Sequence, residues 1–330
     1  MNAARMACIA LLFALPVWSN ATALKLSDYQ LDDGAIVLKR DEPFVDPYFS
    51  TKALLIAAQH GLQVNEVARK WVNWLLPRQL ADGRFMRFCK QTMASRDWAA
   101  CHEADADDAM MAMWLALIAE TMQDPLPKNI LESIERSLKQ LEKLRVADSG
   151  VYLVSETNKV ALLMDNVEIY EGYRALSRHF QKRGDAARAK RYAARASALA
   201  AAIERVFWSP AQQRYRITTQ TREANDFYPD RLAQLYPLLG DLPDVRNNRA
   251  AVYRDWLQAN RGNWLALSAD EFPWGLVAIA ALRMGDLNTA ANWNAIAGSL
   301  RGSQRWNVLE EAIYEVVDAC SVTTAGAASC

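Results

Sequence analysis

The sequence predicts an all-α fold: an (α/α)6 toroid of helical hairpins with small β-hairpin excursions. Three observations carry this reading. Helical periodicity dominates from Pro47 nearly to the end of the chain, broken at short intervals by Gly, Pro or Asp. Successive helices alternate between strongly apolar ones and ones with a charged face. No fixed-period repeat is visible and the spacing of the apolar helices varies, which favours a closed ring over an open solenoid of helix pairs.

The elements follow in order. Pro47 to Gly61 is an apolar helix stopped by Gly61, and Val64 to Leu80 is amphipathic. Asp105 to Met122 and Leu126 to Leu144 come next, separated by Asp124-Pro125, and then Asp165 to Gly184 and the Ala/Arg-rich Asp185 to Phe207. Pro229 to Leu239, Pro243 to Asn260, Pro273 to Met284, Leu287 to Leu300 and Gln304 to Val317 complete the set. Gly150 to Val154 and Arg214 to Thr218 alternate well enough for a small hairpin. A helix apolar all round is buried, and one with a charged face looks at water. The apolar helices therefore form an inner ring and the others an outer ring.

The first residues read as a secretory signal. Arg5 supplies the positive start, Ala7 to Val17 an apolar run, and Ala21-Thr22-Ala23 a small-x-small cleavage site. Pro16, Ser19 and Asn20 end the run well short of the roughly 20 apolar residues that span a bilayer. The expected organisation is a signal peptide over 1–23 and one catalytic-type domain over 24–330, periplasmic or secreted, with no membrane association after cleavage. Lys plus Arg equals Asp plus Glu, at 38 each, so removal of Arg5 leaves the mature chain about one charge negative. That balance gives no reason to expect a nucleic-acid partner.

Cleavage also removes Cys8 and leaves Cys89, Cys101, Cys320 and Cys330. An even number in an exported chain points to disulfides, and four cysteines allow three connectivities. The local pairing, Cys89 with Cys101 and Cys320 with Cys330, is the expected one. A zinc site made of all four is the rival, and it lacks any Cys-x-x-Cys spacing.

The N-terminal ends of the apolar helices share a composition. They read Asp46-Pro47-Tyr48; Glu103-Ala104-Asp105-Ala106-Asp107-Asp108; Asp165-Asn166-Val167-Glu168-Ile169-Tyr170; Asp226-Phe227-Tyr228-Pro229-Asp230; Asp270-Glu271-Phe272-Pro273-Trp274; and Gln304-Arg305-Trp306-Asn307. If hairpins alternate up and down, the inner helices run parallel and these clusters meet at one mouth. Each alone reads as a helix cap, because free N–H groups and the helix dipole favour acids there. The coincidence over several buried helices is what points to a site. Aromatic faces stack on sugar rings and carboxylates accept from sugar hydroxyls, so Tyr48, Glu103, Asp107, Asp108, Asp165, Glu168, Tyr170, Tyr228, Asp230, Trp274 and Trp306 are candidate contacts of a polysaccharide. Glycosidic cleavage needs one protonated and one ionised carboxyl, and crowded acids supply both.

Other chemistries find less support. The three histidines are His60, His102 and His179, and the first and last fall toward the far ends of their helices. A calcium loop at Asp105 to Asp108 lacks the glycine and distant glutamate of an EF-hand. No Gly-x-Ser-x-Gly elbow, phosphate-binding glycine loop or dinucleotide fingerprint occurs, and no cofactor is expected.

Ala104-Asp105-Ala106-Asp107, running into the apolar Met110 to Leu117, resembles the Asp-x-Asp segment of the six-hairpin glycosidases, and most of all glycoside hydrolase family 8. Asp82-Gly83-Arg84-Phe85 resembles the turn that precedes it. The resemblance implies an endo-acting hydrolase of the periplasmic endoglucanase type, of inverting mechanism, compatible with association with a polysaccharide export system. It gives Asp105 the sugar contact at the cleavage point. Where the family has a glutamate as general acid this chain has Asp46, and Asp226, or else Asp230 near Arg231, is the counterpart of the base. Two readings compete: a polysaccharide lyase or epimerase, which would use a base such as Tyr48, Tyr170, Tyr173 or Tyr228, and a non-catalytic polysaccharide-binding or assembly protein.

Overall fold

The computed structural model describes residues 23–222, 225–243, 248–267 and 272–323. Residues 1–22 of the expected signal peptide over 1–23, with Asp270, Glu271 and Cys330, lie outside the described residues.

Five inner helical segments follow the apolar pattern closely: α1 (Pro47–Gln59), α3 (Asp107–Thr121), α5 (Leu163–Lys182), α9 (Leu276–Arg283) and α11 (Val308–Thr323). The outer helices are α2 (Asn65–Leu75), α4 (Lys128–Leu144), α6 (Ala186–Phe207), α8 (Arg249–Leu265) and α10 (Leu287–Ala297). The sixth inner segment runs from Phe227 through short irregular turns into α7 (Tyr236–Leu239). Neighbouring inner segments pack on one another in order, and α11 closes the ring onto α1. The chain is thus an all-α toroid of the (α/α)6 type. In α3, Asp107 to Ile118 are all buried, whereas α4 buries only a stripe that includes Ile130, Ile134, Leu141 and Leu144. That contrast is what separates inner from outer helices.

No outer helix follows α11 among the described residues. The segment before α1 lies at that seam instead. Leu24, Leu26, Tyr29 and Ile36 are buried there, Val308 N–H donates to the Leu38 carbonyl at 2.9 Å, and Ser50 Oγ donates to the Ile36 carbonyl at 3.0 Å.

The structure differs from the sequence expectations in several places. The stretch Pro229 to Leu239 is not one helix, because Pro237 in its interior lacks the N–H that a continuous ladder requires. The helix expected from Pro243 begins at Arg249, with the Asn248 side chain accepting from Ala251 N–H. The last helix begins at Val308 rather than near Gln304, since Asn307 Oδ1 accepts from Leu309 and Glu310 N–H and caps it there. The stretches 150–154 and 214–218 do not pair with each other: β5 (Arg214–Tyr215) pairs with β4 (Trp208–Ser209), and Tyr152 bridges to Arg145. A three-stranded sheet, β1 (Phe44–Val45), β2 (Met86–Cys89) and β3 (Ala99–Glu103), was not legible from periodicity. The Cys89–Cys101 disulfide ties β2 to β3, as the local pairing required. Its two sulfurs are bonded to each other and so offer no thiolate to zinc. Cys320 is buried, and its expected partner Cys330 is outside the described residues.

Candidate active site

The N-terminal ends of the inner segments meet through their side chains. Asp46 caps α1, its Oδ1 accepting from Tyr48 N–H at 3.0 Å, while Oδ2 accepts from Arg87 Nε at 2.7 Å. The other end of the same guanidinium donates to Asp105, at the start of α3. Arg87 on β2 therefore joins two of the sequence-identified acids. Asp46 is nearly fully buried, whereas the Asp105 side chain is 81% exposed. Burial raises the Asp46 pKa, opposed by Arg87.

Beneath them lies a charged layer that the sequence reading gave only in part. Lys52, on the second turn of α1, donates to Glu168 at 2.5 Å, Tyr236 Oη at 2.8 Å and Tyr48 Oη at 2.9 Å. Tyr48 Oη in turn donates to Glu168 at 2.9 Å. Burial alone would strip Lys52 of its proton, yet the facing Glu168 carboxylate raises its pKa above the ordinary lysine value.

Asp108 and Asp165 form a second buried unit. Burial raises both pKa values, helped at Asp108 by the charges of Asp165 and Glu168 and at Asp165 by that of Glu168. If both were ionised, Asp108 Oδ2 and Asp165 Oδ2 would have no donor among the described residues. The Asp165 pKa is raised to about 8, so at neutral pH the pair holds a proton. The Asp105 charge acts on Asp165 in the same upward direction. Asp107 lies beside them, 3.5 Å from Arg84, its pKa raised to about 6 chiefly by burial. The turn that positions Arg84 requires glycine: Gly83 has φ +101°, and a Cβ there would lie 2.6 Å from the Arg136 backbone on α4.

The opposite lip is aromatic. The Tyr228 and Trp274 rings stack with centroids 4.4 Å apart and planes at 16°. Tyr228 is 42% exposed and Trp274 half-buried. Trp274 has φ +49°, a conformation that bulky residues rarely adopt. Trp264 holds it by donating to the Trp274 carbonyl at 3.2 Å, and Glu310 accepts from the next N–H, Gly275, at 2.9 Å. Asp226 stands at this lip with its side chain 67% exposed, 3.1 Å from Arg222. Asp230 is buried, held by Arg222 and by Asp226 N–H.

Two candidate contacts sit elsewhere. Tyr170 turns to the far end of the ring, where its hydroxyl donates to the Asp241 carbonyl at 3.3 Å. Trp306 is 1% exposed, stacked on Trp293 and donating to Glu311, so neither of its faces is free for a sugar. Glu103 is exposed on β3. His60 and His179 lie at the far ends of α1 and α5.

The sequence reading missed Lys52, Arg87, Tyr236 and Glu310. A lone lysine opening an otherwise apolar inner helix was a usable signal, since lysine is almost never buried without a partner. Arg87, on a strand of mixed burial, gave none.

No protein-family model matches the chain, and no curated protein matches it. Solved structures do. A D-mannose isomerase is 13% identical with TM-score 0.59, over 90% of this chain and 94% of that one. A rhamnosidase from Klebsiella oxytoca with rhamnose bound is 14% identical with TM-score 0.55, over 85% of this chain; the chain spans 58% of the rhamnosidase's length. An endoglucanase of glycosyl hydrolase family 8 from Klebsiella pneumoniae is 11% identical with TM-score 0.51, over 90% and 97%. These likenesses show the fold, the toroid of the six-hairpin glycosidase-like enzymes.

Proposed function

We propose that the protein is an exported glycoside hydrolase acting on a polysaccharide at the acidic mouth. The observation that carries this reading is the Asp108–Asp165 pair, a stored proton at the floor of a mouth that also bears the exposed carboxylates Asp105 and Asp226 and the Tyr228–Trp274 platform. Acid-catalysed glycosidic cleavage needs a carboxyl protonated at neutral pH and a second one ionised.

The roles differ from those expected at first. Asp46 spends both oxygens on the α1 cap and on Arg87, so its task is to hold Arg87, and through it Asp105. Asp165 is the proton donor, kept protonated by its burial and by the Glu168 charge, with Asp108 buried beside it. Asp226, across the lip, activates water, and Asp105 holds the sugar at the cleavage point. An inverting outcome requires the acid and base to leave room for that water, roughly 6.5–9.5 Å between carboxyls.

The isomerase on this fold raises a different chemistry, proton transfer beside a carbonyl. A group titrating near neutrality suits that task, and histidine is the usual one. The mouth offers mainly carboxyls, with His60 and His179 at the other end of the ring and His102 exposed on β3 opposite Arg87. Export is supported by the Cys89–Cys101 disulfide, a bond favoured in oxidising compartments. Among the described residues no helix is long and apolar enough to cross a membrane.

The test is reducing-end release from a panel of neutral and acidic polysaccharides, with the anomer of the first product followed by NMR. Asp165→Asn and Asp226→Asn should each lower turnover by at least about a hundredfold, the scale of a lost acid or base, while circular dichroism stays that of the parent. Asp46→Asn should lose less. Silence on every polymer, with binding retained, would replace the hydrolase with a non-catalytic glycan-binding protein.

A further inference from the structure

Beside the mouth, a groove of about 310 Å³ runs along the extended chain that leaves β5. Its floor is firmly attached to the helix that carries Asp165. Leu163 N–H, the first residue of α5, donates to the Ile217 carbonyl at 2.9 Å, and Ala161 and Thr219 exchange bonds at 3.1 Å. On the other side Gln234 grips the Tyr215 backbone through both amide atoms, at 3.0 and 2.9 Å. Alternation then sorts the side chains. Tyr215 is buried and Ile217 partly so, while Arg214 and Arg216 are exposed on the opposite face of the strand.

The charge of this groove opposes that of the mouth. Arg222 is its link to the mouth, and it is already neutralised by Asp226 and Asp230. Arg214 and Arg216 meet no carboxylate among the described residues; Arg216 gives one N–H to the Val206 carbonyl at 3.0 Å and keeps its other donors. Two guanidiniums without a carboxylate partner among the described residues, with the Thr218 hydroxyl beside them, offer donors for planar or tetrahedral anions. The acidic mouth would repel the same groups. An anionic substituent therefore finds a favourable place beyond the cleavage point rather than in it.

We propose that this groove is a distal subsite for an anionic glycan, one carrying carboxylate or ester-sulfate substituents, bound through Arg214 and Arg216. The proposal rests on the reading of the mouth as a polysaccharide site and specifies its substrate class. The hydrolase then works on an acidic polymer with its charged substituents seated outside the mouth.

The experiment is affinity gel electrophoresis of the purified protein in gels containing polygalacturonate, dextran sulfate or neutral hydroxyethylcellulose, paired with reducing-end assays on the same polymers. The two anionic polymers separate a carboxylate preference from a sulfate preference. Retardation by at least one of them is expected. It should weaken about tenfold, equivalent to 1.4 kcal/mol, in Arg214→Gln/Arg216→Gln. It should be unchanged in Lys190→Gln/Arg191→Gln, two exposed cations on α6 away from the groove. Equal retardation by the neutral polymer overturns the subsite, and so does an equal loss in the α6 variant, which would mark nonspecific charge. Cleavage of a neutral polymer with no response to anionic ones removes the subsite and leaves the hydrolase. Anionic binding through the two arginines without cleavage of any polymer keeps the subsite and removes the hydrolase.

Discussion

Lys52 on α1 and Glu168 on α5 form an ion pair 2.5 Å long inside the ring, with the side chains 9% and 3% exposed. The pair spans two inner helices, and its remaining hydrogen bonds come from Tyr48 and Tyr236. A buried pair of this kind contributes little net stability against an apolar replacement, but removing one partner leaves an uncompensated charge. Lys52→Met should therefore destabilise the fold by about 3–5 kcal/mol. Lys52→Met/Glu168→Leu should recover most of that loss. Urea titrations of the two variants test this, and equal stabilities would show that the pair is not the source of the effect.

Glu310 makes stability depend on pH. It is buried at the start of α11, accepts from the N–H groups of Trp274 and Gly275, and has its pKa raised to about 8, chiefly by burial. A carboxyl whose folded pKa lies above its unfolded value stabilises fully below the unfolded value, near 4.5, and that contribution is lost as pH rises toward 8. Across that window one such group gives a falling slope of about 1.4 kcal/mol per pH unit. Glu310→Gln keeps the acceptor and removes the titration, so the slope between pH 5 and 8 should flatten by about that amount. Denaturation midpoints across the range decide it; a slope unchanged by the substitution would place the titration elsewhere.

Much of the toroid was legible because inner and outer helices differ in one measurable respect, the width of the apolar face. Met110 to Ile118 has no polar side chain to turn toward water, so its helix had to be inside. Acids at helix starts marked the mouth for an equally simple reason, since Asp46 and Asp165 satisfy or attract the free N–H end. The rest depended on contacts between distant segments. Arg87 reaches Asp46 and Asp105 from a four-residue strand whose burial does not alternate cleanly, so no periodicity announced the sheet. Trp306 carries the composition of a rim residue, but α11 begins one residue after Asn307 and draws the indole into the core.

Trp274 separates binding from backbone strain. Its ring is half of the aromatic lip, and its φ of +49° is one that glycine adopts without steric cost. Trp274→Ala and Trp274→Gly should weaken glycan binding equally, by about tenfold, because both delete the ring. The two should differ in stability, with glycine about 1 kcal/mol more stable than alanine. Thermal melts alongside binding isotherms read both quantities. Alanine at least as stable as glycine would mean that the strain is relieved in solution.

The Cys89–Cys101 disulfide closes the loop between β2 and β3, with a sequence separation of 12 residues. A crosslink over so short a loop stabilises by about 3 kcal/mol in the chain-entropy account. Its local consequence matters more for the site. Arg87 stands two residues before Cys89, and Asp105 stands four residues after Cys101, so the bond fixes both ends of the Arg87–Asp105 contact. Cys89→Ser/Cys101→Ser should lower the melting temperature. If Arg87 orients Asp105 for catalysis, it should also reduce turnover more than substrate affinity, because a loosened carboxylate is misplaced rather than absent. The same split should appear in Arg87→Lys, which keeps the charge but cannot span two acids with one planar group. Turnover intact in Arg87→Lys would show that Asp105 needs no such positioning.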